Sequence, residues 1–194
     1  MANAMSPEQP GVMVLCGGTS HRFGGPDKTR ERLAGTTVLD HLLDALPSGW
    51  AVVCVGEERA TTRSVRWCRE SPVGGGPVAG IAAGLEHLDT KVCVIVGGDM
   101  PFAAAALPTL VDALNAQPEL DAVMAVDPDG RRQPLLAAYR SEVLRAALPP
   151  VPAGTRLSAV VDGMPTRTVT CEARTTLDVD TPEALEQARH FVGT

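Results

Sequence analysis

The sequence predicts an α/β fold in which helices cover both faces of a parallel sheet. Short Val-rich runs alternate with helix-like segments from one end of the chain to the other. Apolar residues make up 44% of the 194, yet aromatic residues only 3%. A core so poor in rings has to be filled by Val, Leu and Ala, which suits helices packed on a sheet.

The elements follow in order. Residues 12–16, 51–55, 91–96 and 121–126 are brief, Val-rich and bounded by Gly, Pro or charge. They read as strands buried on both faces, although a buried helix can share that periodicity over so short a run. Residues 38–46, 79–88 and 107–116 repeat apolar side chains at intervals of three and four, the helical period. Residues 181–192 read as a closing helix, with Thr181 as N-cap and Pro182 and Glu183 behind it. Residues 131–140 and the Pro-rich residues 149–154 break the alternation, which suggests a hairpin-like or crossover element serving a second substrate. Residues 1–10 read as a flexible leader, and residues 11–194 as a single domain.

The net charge of −6 argues against a nucleic-acid partner, because no basic face is needed to explain the composition. An anionic small substrate would need a local basic patch or a metal ion. The five cysteines (Cys16, Cys54, Cys68, Cys93, Cys171) form no C-x-x-C pair and have no His at zinc spacing. They read as reduced core thiols, which implies a reducing compartment. No apolar run reaches membrane length and no charged leader precedes a long apolar stretch. The expected location is the cytoplasm, with no membrane association.

In parallel α/β sheets the loops at the carboxyl ends of the strands build the site, and the first such loop is glycine-rich. Residues 15–28 read L-C-G-G-T-S-H-R-F-G-G-P-D-K. Gly17, Gly18, Gly24 and Gly25 allow the backbone to approach a phosphate chain with its N–H groups pointing inward. Ser20 adds a hydroxyl donor, and Arg22 and Lys28 add charge. The spacing fits neither a Walker loop nor a dinucleotide fingerprint, and a flexible loop with incidental basic residues is the other reading.

Gly97-Gly98-Asp99-Met100-Pro101 follows the third of these runs, which is rich in Val and Ile. A carboxylate at a strand tip can hold Mg²⁺, which needs only one or two protein carboxylates beside substrate phosphates. As a helix N-cap Asp99 would stand several residues too early. Gly74-Gly75-Gly76-Pro77-Val78-Ala79-Gly80 could bring backbone to a base or ribose, with Glu70 as acceptor for purine protons, or could simply be a tight turn. Asp178 and Asp180 alternate in an extended segment and so point the same way. One could share the metal with Asp99, or both could be a solvated pair ahead of a helix.

Taken in order, these segments resemble the molybdenum cofactor guanylyltransferases and related nucleotidyltransferases of the same MobA-like fold. The likeness rests on residues 15–28, on Gly76–Gly80, on Gly98-Asp99-Met100-Pro101-Phe102, on residues 133–140 (Q-P-L-L-A-A-Y-R) and on Asp178–Leu185. It spans residues 12–188.

The resemblance implies a Rossmann-like three-layer sandwich with a mostly parallel central sheet. It implies nucleotide contacts at Leu15, Cys16, Gly17 and Lys28, close approach at Gly80, and Mg²⁺ on Asp99; the alternating aspartates offer Asp180 as a second metal carboxylate. Gly18, Ser20, Arg22, Gly56 and Glu70 join the candidate nucleotide contacts. Arg22, Lys28 and Asp99 are the candidate catalytic residues.

The implied reaction moves GMP from GTP to molybdopterin with release of pyrophosphate, by in-line attack of a pterin phosphate oxygen. Arg131, Arg132 and Gln133 are candidate contacts to that acceptor. Two aspartates, Asp178 and Asp180, stand where guanylyltransferases place asparagines and resemble the related cytidylyltransferases, which use CTP. A non-enzymatic carrier of nucleotide or molybdopterin is the third reading, and a downstream molybdoenzyme or carrier the expected protein partner.

Overall fold

The computed structural model describes residues 9–17 and 27–193. Residues 1–8 of the expected leader lie outside them, as do Gly18, Ser20, Arg22, Gly24 and Gly25 of the glycine-rich loop.

A seven-stranded sheet runs through the molecule. Its strands are β1 (Gly11–Leu15), β4 (Ala51–Val55), β5 (Arg66–Cys68), β6 (Val92–Gly97), β7 (Ala122–Val126), β8 (Arg132–Arg140) and β9 (Thr166–Thr170), in the spatial order β5-β4-β1-β6-β8-β7-β9. A two-stranded ribbon of β2 (Arg32–Leu33) and β3 (Thr36–Thr37) stands apart. The helices are α1 (Val38–Ala45), α2 (Pro77–Leu85), α3 (Leu107–Asn115), α4 (Ser141–Ala147), α5 (Leu157–Val161) and α6 (Pro182–Gly193).

Alternation along β1 and β4 divides the core between the two faces of the sheet. Val12, Val14, Val52 and Cys54 face α1 and α3 through Leu39, Leu42, Leu107 and Leu110. Met13, Val53 and Val55 face α2, α4 and α5 through Val78, Ile81, Leu144 and Leu157. Strand β6 is buried along its whole length, as its unbroken Val/Ile run requires. Gly84 lets α2 lie close to the sheet, since a Cβ there would stand 2.6 Å from the Met13 thioether.

The predicted strands and helices correspond to β1, β4, β6, β7, α1, α2, α3 and α6, with ends moved by a few residues. Helix α2 begins at Pro77 rather than residue 79, because proline is pre-set for the first helical position. Thr181 accepts from the Ala184 N–H at 3.2 Å, the expected capping bond of α6.

The segment that broke the rhythm is an antiparallel strand. β8 pairs with β6 on one side and β7 on the other. Its register against β7 slips between Met124 and Ala125, opposite Pro134, which has no N–H to give the ladder. The Tyr139 hydroxyl donates to the Pro134 carbonyl at 2.8 Å across this irregularity. At its far end Arg140 donates to the carbonyls of Leu120, Leu114 and Gln117 and so ties the end of α3 to the sheet.

Candidate active site

The carboxyl ends of β5, β4, β1 and β6 are fastened side by side. Gly56 donates its N–H to Cys68 at 2.9 Å, Cys16 to Val55 at 2.8 Å, and Gly98 to Leu15 at 2.9 Å. Cys16 fills the space between neighbouring loops: a Cβ on Gly56 would meet its Cβ at 3.2 Å, and one on Gly98 its Sγ at 3.2 Å. The Cys54 thiol, as a hydrogen-bond partner, and burial both push the Cys16 thiol up from its ordinary value. Cys16 is therefore an inert packing group, and any nucleotide contact it makes would come from its backbone. All five cysteines are free thiols.

Lys28 begins a short 3-10 helix, Lys28–Arg30, for which Asp27 is the cap. The Asp27 carboxylate accepts from the Thr29 N–H at 3.0 Å and from its hydroxyl at 2.6 Å. Burial alone would raise this carboxyl, but the Thr29 bonds and the Arg59 guanidinium hold it below the usual range. The helix aims Lys28 across the sheet. Its Nζ stands 2.5 Å from Asp99 Oδ2 and is also paired with Asp180.

Asp99 projects from the turn after β6. Its Oδ1 lies 2.5 Å from where a Gly97 Cβ would be, so only glycine leaves room for the carboxylate to fold back there. Its backbone carbonyl accepts from the Val179 N–H at 2.9 Å. Val179 is fully buried in a third apolar cluster with Leu33, Val38, Phe102, Leu185 and Ala188. That anchor fixes the two flanking aspartates above the sheet.

Partial burial and then the negative charges of Asp180 and Asp99 raise the Asp178 carboxyl, so the three carboxylates share one neighbourhood. Lys28 lies in their field. Burial opposes its charge, but Asp99 and Asp180 outweigh burial and raise its ammonium above the ordinary value.

Among the described residues one ammonium, that of Lys28, stands among these three carboxylates. Among the described residues no group of three or more His, Cys, Asp and Glu is arranged as a ready-made metal cage. The pair of carboxylates that already converges on a cation, the Lys28 ammonium, has the hard oxygen donors and sparse count that suit Mg²⁺ beside substrate phosphates.

Other predicted residues fall around this point. Glu70, on the loop after β5, accepts from the Gly74 N–H at 2.9 Å. Its Oε1 lies 3.9 Å from where a Gly17 Cβ would be, so it faces the start of the glycine-rich loop. Gly80 turns its Cβ direction toward Leu15 and Val55, at 3.4 and 3.5 Å, which gives its small size a packing reason. Gly56 has φ +151° and presses on Cys16.

Arg131 closes the turn from β7 and Arg132 and Gln133 open β8, which the pairing directions place at the same end of the sheet. Asp127 organises that turn, accepting from the Arg131 N–H at 2.8 Å and from Gln133 Nε2 at 3.4 Å. A hollow of about 450 Å³ near His87 and Arg145 lies at the opposite end of the sheet, away from the carboxylates.

The sequence reading overlooked Arg59 and Asp27. Arg59 donates to Asp27 at 2.8 Å, bonds closely to the Thr29 hydroxyl and stacks over Trp67 at 5.4 Å. Asp27 was detectable, since Asp followed two residues later by Thr is a local capping pattern. Arg59 lies in a run of charged residues with nothing local to single it out.

Comparison with known proteins agrees with this architecture. The structure of molybdopterin-guanine dinucleotide biosynthesis protein A from Archaeoglobus fulgidus superposes with a TM-score of 0.73 at 23% identity, covering 94% of this chain and 98% of that one. The 2-C-methyl-D-erythritol 4-phosphate cytidylyltransferase of Thermus thermophilus superposes with a TM-score of 0.68 at 16% identity, covering 94% and 98%. These likenesses define the fold class, an α/β sandwich on a mostly parallel sheet. The model of the MobA-like NTP transferase domain matches residues 12–167, and the chain belongs to that family. A probable molybdenum cofactor guanylyltransferase of Bacillus cereus is 33% identical over 139 residues, 68% of each chain.

Proposed function

We propose that this nucleotidyltransferase moves GMP from GTP to the terminal phosphate of molybdopterin and releases pyrophosphate. The observation that carries the proposal is the meeting of Lys28, from the end of the glycine-rich loop, with Asp99 and Asp180 at the carboxyl edge of the sheet. The likeness to the Bacillus cereus relative supports guanylyl transfer.

A phosphate oxygen of the acceptor attacks the α-phosphorus of the bound nucleotide in line with the bond to the β-phosphate. One P–O bond forms, the α–β bridging bond breaks, and pyrophosphate leaves with its electron pair. The acceptor is already an anion, so no protein nucleophile is needed. The protein's contribution is positioning and charge.

Lys28 offsets charge on the attacked phosphate and the leaving pyrophosphate, and Arg22 on the same loop adds to it. Backbone N–H groups from Gly17 onward and the Ser20 hydroxyl cradle the triphosphate, and Leu15 and Cys16, whose N–H is held by the Val55 carbonyl, border it. Gly56, Glu70 and Gly80 border the nucleoside, with Glu70 accepting from the base. Arg131, Arg132 and Gln133 meet the acceptor from the β7–β8 turn. Asp99 and Asp180 would hold Mg²⁺, which supplies charge stabilisation at the phosphate oxygens when bound.

CTP is the second candidate nucleotide, favoured by Asp178 and Asp180 in place of the asparagines of guanylyltransferases. A carrier would need the loop but not the carboxylates at the strand tip. We place the enzyme in the cytoplasm; no helix among the described residues is long and apolar enough to cross a membrane.

The test is to incubate the protein with Mg²⁺, molybdopterin and each of the four nucleoside triphosphates and to measure pyrophosphate. Release with GTP alone is the expected result. Release with CTP alone would move the enzyme to the cytidylyl class, and binding without release from any nucleotide would make it a carrier.

A further inference from the structure

We infer that Arg59 is a positioning residue for Lys28: it clamps the residues on either side of that lysine and so fixes where the ammonium stands. The inference rests on the proposed role of Lys28 at the phosphates. Arg59 comes from the loop after β4, yet its guanidinium reaches the base of the glycine-rich loop some thirty positions earlier. One nitrogen donates to Asp27 at 2.8 Å and the other bonds closely to the Thr29 hydroxyl. Lys28 is the residue between them. The planar fork of arginine can hold both partners at once, which a lysine ammonium at the same place cannot do with the same geometry.

The clamp is itself held. Arg59 lies over the Trp67 ring at 5.4 Å, and its side chain is only 11% exposed. Asp27 is kept ionised by the same contacts that make it the cap of Lys28–Arg30. A chain therefore runs from the indole through the guanidinium to the cap, and ends at the backbone that aims Lys28 at Asp99.

The next arginine on the same loop gives the contrast. Arg63 donates to the carbonyls of Leu43, Leu46, Pro47 and Trp50 and closes the end of α1. Its hydrogen bonds among the described residues all go to the end of α1 and the turn after it, so it ties the same loop down without aiming the lysine.

The chain has two lysines, Lys28 and the exposed Lys91, so Lys91 serves as an internal reference for amine reactivity. The experiment labels the full chain and its Arg59→Gln, Arg59→Lys and Arg63→Gln variants with N-hydroxysuccinimidyl acetate, and compares the two lysines by peptide mass spectrometry. Loss of the clamp lets the backbone at Lys28 move, so the amine spends more time away from Asp99 and Asp180 and open to the reagent. The Lys28-to-Lys91 ratio should rise by about threefold or more in Arg59→Gln, less in Arg59→Lys, and not in Arg63→Gln. An unchanged ratio in folded Arg59→Gln overturns the inference, as does an equal rise in Arg63→Gln.

A second arm reads turnover. Arg59→Gln should lower kcat/KM by about tenfold or more in the natural background and by no more than about twofold once Lys28 is alanine, because coupled positions are not additive. Equal losses in both backgrounds would reduce Arg59 to a structural role. Should no nucleotide be turned over, the proposed function fails, and the labelling ratio still decides the clamp.

Discussion

Asp99 and Lys28 are each about one-fifth exposed, buried enough that their attraction is only partly screened. Removing either leaves the other facing phosphates or carboxylates without its counter-charge. Asp99→Ala should lower magnesium-dependent turnover by about 100-fold, the scale for losing one preorganised electrostatic group, while the melting temperature changes little. Turnover near the natural rate at ordinary Mg²⁺ concentrations would remove Asp99 from the metal. Gly97→Ala makes the same point from the neighbouring residue. Its new Cβ would occupy space 2.5 Å from Asp99 Oδ1 and drive the carboxylate from its place. Kinetics should show kcat falling further than urea denaturation shows stability falling. Lys28, Asp99 and Asp180, which meet at the carboxyl edge of the sheet, were legible because each stands in a short motif with its own chemical signature: glycines before a lysine, an aspartate at a strand tip, and two aspartates before a helix. Arg59 was not, since what marks it is where its guanidinium ends, a matter of tertiary packing.

Elements were legible to the same rule. Where burial follows from a run of Val and Ile, as in β6, or from helical spacing, as in α1 and α3, the sequence displays it. The short edge strands β5 and β9 carry exposed Arg and Thr, and only a partner's ladder makes them strands. The central antiparallel strand β8 was disguised by Pro134 and by its charged opening residues. Its closing residue offers a clean test of element packing. Arg140→Gln should cost about 1–3 kcal/mol, because carbonyls at the end of α3 lose their donor; urea unfolding would measure it, with KM for nucleotide unchanged.

Helix α6 is held by an aromatic group, in which Phe102 packs edge-on to His41 at 5.3 Å and to Phe191 at 5.9 Å, under the Arg174 guanidinium. Burial and then the Arg174 charge lower the His41 imidazole below its ordinary value. The sign follows: the folded state prefers neutral His41, so the stability it confers is present above the unfolded value and is lost as pH falls through the folded one. Acidification from pH 7 toward pH 5 should therefore lower the melting temperature more in the natural protein than in His41→Phe. Equal acid sensitivity in both would sink this reading.

Over the whole molecule the charge is −6, the same sign as a nucleoside triphosphate. Long-range attraction therefore cannot draw the substrate in, and recognition depends on short-range groups at the carboxyl edge of the sheet. Added salt screens the repulsion. Raising ionic strength from low values should leave kcat/KM level or increase it, and stopped-flow association at several salt concentrations would check this; a steep fall with salt would mean a basic approach path that outweighs the net charge. The pairing of Lys28 with Asp180 spans 152 positions of sequence, and the Val179 N–H that steadies Asp180 is bonded to the turn after β6. Most of the sheet can pair before that segment arrives. That contact can therefore close after the strands have paired: a chain nicked or cut short before Asp178 can keep its strands in register and still lack one of the two carboxylates that meet Lys28.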